Sequence, residues 1–218
     1  MLDAKSRGHA VPPKDTLGKK LSLIPLVPAA LMKDAQYIKG VPNSWPAVGK
    51  HLKARTGHDF PLFSRLSSSF LGKRATSAVA TVLIDNLDTS NSVASVPVKI
   101  LTGAIFAHLA DSAELAADFA ALAKHHGIPP EDLDGARALA SAPTGVDPCA
   151  IPALNRLSVK SRHYLLLARA LAPSPAEVSS PLVKVLQEAR LEPKGIIEVV
   201  NFVAVAQLLL RMGSYFNK

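Results

Sequence analysis

Proline decides most about how this chain can fold. Beyond the first turn of a helix its ring removes an amide donor and collides with the turn before it, so runs of helical period must lie between prolines. The 218 residues hold 17 prolines, and from Ala75 onward the breaks fall at 86–92, Pro129-Pro130, 143–152, 173–175 and 193–195. The period between them is helical with few strand-like alternations, which predicts about five helices in an all-α fold. Hydrophobic residues make up 48% of the chain and charged residues 19%. That is too apolar and too weakly charged for a disordered protein, so much of these helices must be hidden from water.

One helix is expected from Val98 to His126. Ile105, Leu109, Ala113, Ala116, Ala120 and Ala123 recur along it at steps of three and four, a stripe whose small residues permit close helix approach, and Gly127 follows as its cap. Pro129-Pro130-Glu131-Asp132 opens a short helix through Ala140, with proline and acids where a first turn prefers them. Ser158 caps a helix to Leu171, and Ser179 with Pro181 opens another to about Ala189. The last helix, Gly195 to Tyr215, is apolar on nearly every face and is expected at the centre of the fold or against a partner. Its apolar stretch Ile196 to Leu210 is interrupted by Glu198, Asn201 and Gln207 and falls short of the roughly 20 residues that cross a bilayer. No transmembrane helix is therefore expected.

The formal charge of +8 is unevenly placed. Residues 1–74 carry 13 Lys/Arg against 4 Asp/Glu and 7 of the prolines, whereas residues 75–218 carry 12 against 13. The sequence thus divides into a basic, Pro-rich N-terminal arm with short helices (1–74) and a helical domain (75–218). Lys14, Lys19, Lys20, Lys50, Lys53, Arg55, Lys73 and Arg74 offer the arm positive charge for RNA, anionic lipid or an acidic protein surface. Residues 1–20 contain no apolar core of a secretory signal, so secretion is not expected. The single cysteine, Cys149, excludes an internal disulfide, a Cys-x-x-Cys pair and a zinc site with two or more thiolates; in its Pro-rich loop it reads as a free structural thiol. No phosphate-binding glycine loop, dinucleotide fingerprint, His-Glu-x-x-His helix or Gly-x-Ser-x-Gly elbow occurs, and neither cofactor nor metal is expected. Aromatic residues for stacking RNA bases are few, with Tyr37, Trp45, Phe60, Phe63 and Phe70 in the arm region.

The stretch LSVKSRHYLLLARALAPSPAEVSSPLVKVLQEARLEPKGIIEVVNFVAVAQLLLRMGSYF resembles the C-terminal half of the alkylhydroperoxidase D / carboxymuconolactone decarboxylase family. There a helix is followed by a Pro-x-x-Val turn and short helix, then Ile-x-Glu-x-Val and a long helix ending near Asn-Arg. The counterparts are Pro175 to Val178, Ile196 to Val200, and Arg211. The segment GAIFAHLADSAELAADFAALAKHHGIPPEDLDGARA is similar to the family's active-site helix, so the likeness covers roughly residues 75–218 and implies an AhpD-like helical bundle, with trimers or hexamers as the usual assembly. Peroxidase members carry Cys-x-x-Cys-x-x-x-His on that helix, where one thiolate attacks peroxide, its neighbour resolves the sulfenic acid and the histidine relays protons. Here the resemblance places those positions on Ser112, Leu115 and Phe119, and a family glutamate near Ile100. None matches.

A hydroxyl and two apolar side chains cannot run a dithiol cycle. His108 stands one turn before Ser112 at i and i+4, which would let the two share a face as base and nucleophile, although no orienting carboxylate is evident there. Asp111, Glu114 and Asp118 form an acidic stripe, read as a solvated face. His125 and His126 lie at a helix end near its negative dipole and need no catalytic role. The expected function is a non-catalytic accessory subunit of a larger protein assembly, with a mitochondrial energy-converting complex as the favoured host. An active decarboxylase or peroxidase-type enzyme around His108 and Ser112 is the first alternative, and an RNA-contacting subunit using the arm the second. Partners are other protein subunits or further copies of the chain.

Overall fold

A computed structural model describes residues 44–66, 70–88, 90, 92–143, 145–173 and 176–216. Among them are nine α-helices and no strand: α1 (Trp45–Thr56), α2 (Pro61–Leu66), α3 (Phe70–Leu87), α4 (Val96–Leu109), α5 (Ala113–His125), α6 (Pro130–Ser141), α7 (Val159–Leu171), α8 (Ser180–Glu188) and α9 (Pro193–Phe216). Two single 3₁₀ turns, Pro148–Ala150 and Pro152–Leu154, link α6 to α7. The all-α architecture is the one the proline spacing implies.

The centre is α4. All but three of its 14 residues are buried, and it packs against α5, α6, α7 and α9. The central place expected of the last helix thus belongs to α4, whose sequence VPVKILTGAIFAHL has polar groups only at Lys99, Thr102 and His108. Helix α9 is one-sided instead. Val199, Phe202, Val203, Val205, Ala206 and Leu209 enter the core, whereas Ile197, Val200, Ala204 and Leu208 face outward. By length and composition alone Pro193–Met212 is long and apolar enough to cross a membrane, contrary to the expectation above, because the glutamate, asparagine and glutamine interrupt its apolar run without ending it.

The helix expected over 98–126 is two helices. Asp111 takes a left-handed backbone (φ 49°), its N–H bonds to the His108 carbonyl, and the Ser112 N–H bonds to the Ala107 carbonyl. This is a Schellman motif built on aspartate, a residue that tolerates the left-handed region better than most. Ser112 then caps α5 by accepting the Leu115 N–H. At the other end of α5 the same motif is built on glycine, as expected: Gly127 has φ 67°, and the Ile128 N–H reaches the Ala123 carbonyl.

The helical body begins earlier than the boundary drawn at 74/75, which falls inside α3. Val48 and Leu52 of α1, Phe60 of the connecting turn, and Leu62 and Phe63 of α2 are at most 2% exposed and join the same core as α4 and α9. Apolar spacing in this basic segment was masked by its charge. Every described residue belongs to one compact unit, Gln36–Lys218, and the part of the arm before Ser44 lies outside the described residues.

Candidate functional site

The structure does not bring His108 and Ser112 together as a pair. His108 is exposed on the last turn of α4, and its Nε2 pairs with the Ser141 hydroxyl at 2.9 Å. The Ser112 hydroxyl lies beyond the chain reversal and serves as the α5 cap. Leu115 and Phe119, the other positions singled out by the resemblance, are 3% and 0% exposed. The Phe119 ring lies 6.1 Å from that of Phe202 and fills the space over Gly103, where an added Cβ would collide with the ring. Ile100, placed where the family carries a glutamate, is fully buried. Packed hydrocarbon therefore occupies the place where the resemblance would put a reacting group.

The acidic stripe also dissolves into separate roles. Asp111 is exposed at the helix break, Glu114 pairs with Arg65, and Asp118 is buried on His58, whose Nε2 is 2.6 Å from its Oδ1. Burial pushes the Asp118 carboxyl up, and the hydrogen bond and charge of His58 only partly oppose it. His125 and His126 meet edge to face at 5.2 Å; burial, then the neighbouring His125, holds His126 below its ordinary range. Cys149 is partly buried and unpaired, with its N–H bonded to the Asp147 carboxylate. No three His, Cys, Asp or Glu side chains converge as a metal would require among the described residues.

Of the basic arm residues, Lys14, Lys19 and Lys20 lie outside the described residues, as do the side chains of Lys73 and Arg74. Lys50, Lys53 and Arg55 are exposed on α1, and Lys53 is paired with Asp59 at 2.7 Å. Phe60 and Phe63, counted above as possible stacking surfaces, are buried, and Trp45 packs edge to face on Phe63 at 5.8 Å. Phe60 and Phe63 are committed to the interior, and Trp45 is partly buried against it.

The strongest polar centre is one that sequence reasoning missed. Lys99 in the first turn of α4 and Glu198 on α9 meet with Nζ 3.5 Å from Oε2, their side chains 4% and 16% exposed. Lys99 donates to the Asn86 carbonyl at 2.7 Å, one of the carbonyls that the last turn of α3 leaves without a helical partner. Glu198 accepts from the Ser92 hydroxyl at 2.7 Å, from the Val93 N–H and from the Ala94 N–H at 2.9 Å, amides of the chain entering α4. The pair ties the end of α3, the start of α4 and the flank of α9 into one joint. Burial drives the Lys99 amine down, and the Glu198 charge partly offsets this. Burial pushes the Glu198 carboxyl up, but the Ser92, Val93 and Ala94 hydrogen bonds and the Lys99 charge outweigh it and hold the group below its usual range.

Above the pair lies an open polar recess of about 350 Å³ whose rim includes Asp85, Asp88 and Ser90. Asp85 is raised by burial and by the charge of Asp88. The signal available in the sequence was a lysine and a glutamate standing alone in apolar helices, a pattern that a buried ion pair satisfies. Chemically the arrangement holds charge at fixed points and satisfies backbone donors and acceptors. Compared with known protein families, with characterised proteins and with solved structures, the chain matches none of them.

Proposed function

We propose that this chain is a non-catalytic accessory subunit of a larger protein assembly, built on a degenerate AhpD-like helical bundle. The observation that carries the reading is the outward stripe of α9. Ile197, Val200 and Leu208 are 59%, 42% and 40% exposed, and with Ala204 they follow one face at steps of three and four. A contiguous apolar strip on a helix whose opposite side is already in the core is the kind of surface that permanent interfaces cover. The packed positions Leu115 and Phe119 support the same reading, because they leave no space for the family's reacting groups. The host expected from the apolar composition is a mitochondrial energy-converting complex.

The test is purification of the full chain from its native source, beside an Ile197→Glu/Leu208→Glu variant. The reading expects defined chains to co-purify at fixed stoichiometry and to be lost from the variant while its circular dichroism and melting profile stay those of the parent. Association only with further copies of itself would replace the foreign-subunit reading with a homo-oligomer. A discrete monomer that consumes peroxide or releases carbon dioxide, with activity lost on His108→Ala, would overturn the proposal in favour of an enzyme.

A further inference from the structure

A second concavity lies between α7, α8 and the 145–148 turn, with a volume of about 200 Å³. Its walls are mainly apolar, from Val146, Leu166, Leu182 and Val185. Into this lining the chain places Arg169, whose side chain is only 10% exposed. The Arg169 Nη2 donates to the Ala142 carbonyl at 2.7 Å, and Nη1 meets the Glu177 carboxylate at 3.2 Å. Its Nε is buried and donates to no group among the described residues. A guanidinium has five N–H donors in a planar fork that matches a carboxylate through two bonds at once, and leaving a buried donor unmade is costly. Glu177 holds the fork through one nitrogen, and its own side chain is 45% exposed on the segment that leads into α8.

We infer that this cavity is a binding site for a small apolar monocarboxylate, whose carboxylate takes the place of Glu177 on Arg169 while its hydrocarbon tail lies among Val146, Leu166, Leu182 and Val185. Two further features support this ligand class. Helix α8, which forms one wall, has Leu186 as its only buried residue, so the wall can shift to admit a tail without emptying the core. Asp147 also lines the cavity, with its carboxylate engaged by the Cys149 N–H at 2.8 Å. A second negative charge on the ligand would face Asp147, so a dicarboxylate is disfavoured. Glu177 then acts as an internal competitor, holding the site while it is empty.

The experiment is an amide chemical-shift titration of the full chain with hexanoate, 1-hexanol and hexylamine, read also at the Arg169 Nε–H resonance. Hexanoate is expected to shift residues of α7, α8 and 145–148 saturably and to move the Nε–H signal. The alcohol and the amine are expected to bind roughly tenfold more weakly or less, the ratio that one charge-assisted hydrogen bond over a neutral one supplies. Glu177→Gln, a change at a half-exposed residue, removes the competing charge and is expected to tighten hexanoate binding several-fold without affecting hexanol. Arg169→Lys is expected to erase the preference for the acid; if that variant does not fold, the Glu177→Gln comparison decides alone. Absence of saturable shifts with hexanoate, equal binding of hexanol, or an unchanged affinity in Glu177→Gln would overturn the assignment.

Discussion

The two members of the Lys99–Glu198 pair should respond unequally to removal. At 3.5 Å and an effective dielectric near 20, two unit charges attract by about 5 kcal/mol before the cost of stripping their water is subtracted. Glu198→Gln keeps the shape and a hydrogen-bond acceptor but leaves the Lys99 ammonium buried without its counter-charge, a change that costs about 3–5 kcal/mol in buried pairs. Lys99→Met keeps the stem and removes the group that dislikes its surroundings. Glu198 retains the Ser92, Val93 and Ala94 donors and some solvent, so the loss is chiefly the bond to the Asn86 carbonyl, about 1–2 kcal/mol. The double variant buries no unpaired charge and should fall short of the sum of the singles by about 2 kcal/mol, within the range of coupled neighbours. Urea unfolding at pH 7, followed by far-ultraviolet circular dichroism, measures all three. A Lys99→Met variant less stable than Glu198→Gln, or singles that simply add, would refute the view that the buried ammonium is the liability and Glu198 its remedy. The pH sign follows from the same geometry: with Glu198 held below its usual range, its contribution is present above the ordinary carboxylate pKa and is lost as pH falls through the depressed value. In Glu198→Gln that acid loss should be smaller.

Asp111→Gly should stabilise the chain by about 0.5–1 kcal/mol, because glycine adopts the left-handed cap without the cost borne by a residue with a Cβ; thermal unfolding measures it. Gly103→Ala drives a methyl into the Phe119 ring and should cost about 1–3 kcal/mol or more as an overpacked core, read by the same melts. Asp118 has a raised carboxyl in the fold, so its contribution is fully present below the ordinary carboxylate pKa and is lost as pH rises through the raised value; Asp118→Asn should flatten stability over that interval in urea titrations stepped across pH.

The proline breaks, the serine caps at Ser158 and Ser179 and the close of α5 at Gly127 are legible because each rests on local chemistry. The Ser112 cap is not, since it depends on the turn at Asp111, and that turn carries no glycine to announce it. The burial of α1 and α2 was hidden for a different reason. Lys50, Lys53 and Arg55 dominate the composition of α1, while a stripe as short as Val48 and Leu52 gives little periodicity to detect. Pairings such as Lys99 with Glu198 and His58 with Asp118 span 99 and 60 positions, so only the tertiary fold discloses them.

The same distinction bears on how the candidate sites should be weighed. A lysine and glutamate that hold each other and together four groups of the surrounding chain have their interactions satisfied by the fold, and catalysis would require one of those bonds to open. Arg169 differs in kind: its buried Nε has no partner among the described residues, one partner is half in water, and the neighbouring wall is apolar. Unspent hydrogen-bonding capacity beside an open volume is where a ligand gains most, because the free protein carries the cost of the unmade bond and binding removes it. The joint at Glu198 therefore shapes the fold, while at Arg169 an unpartnered buried donor lies in the lining of a cavity.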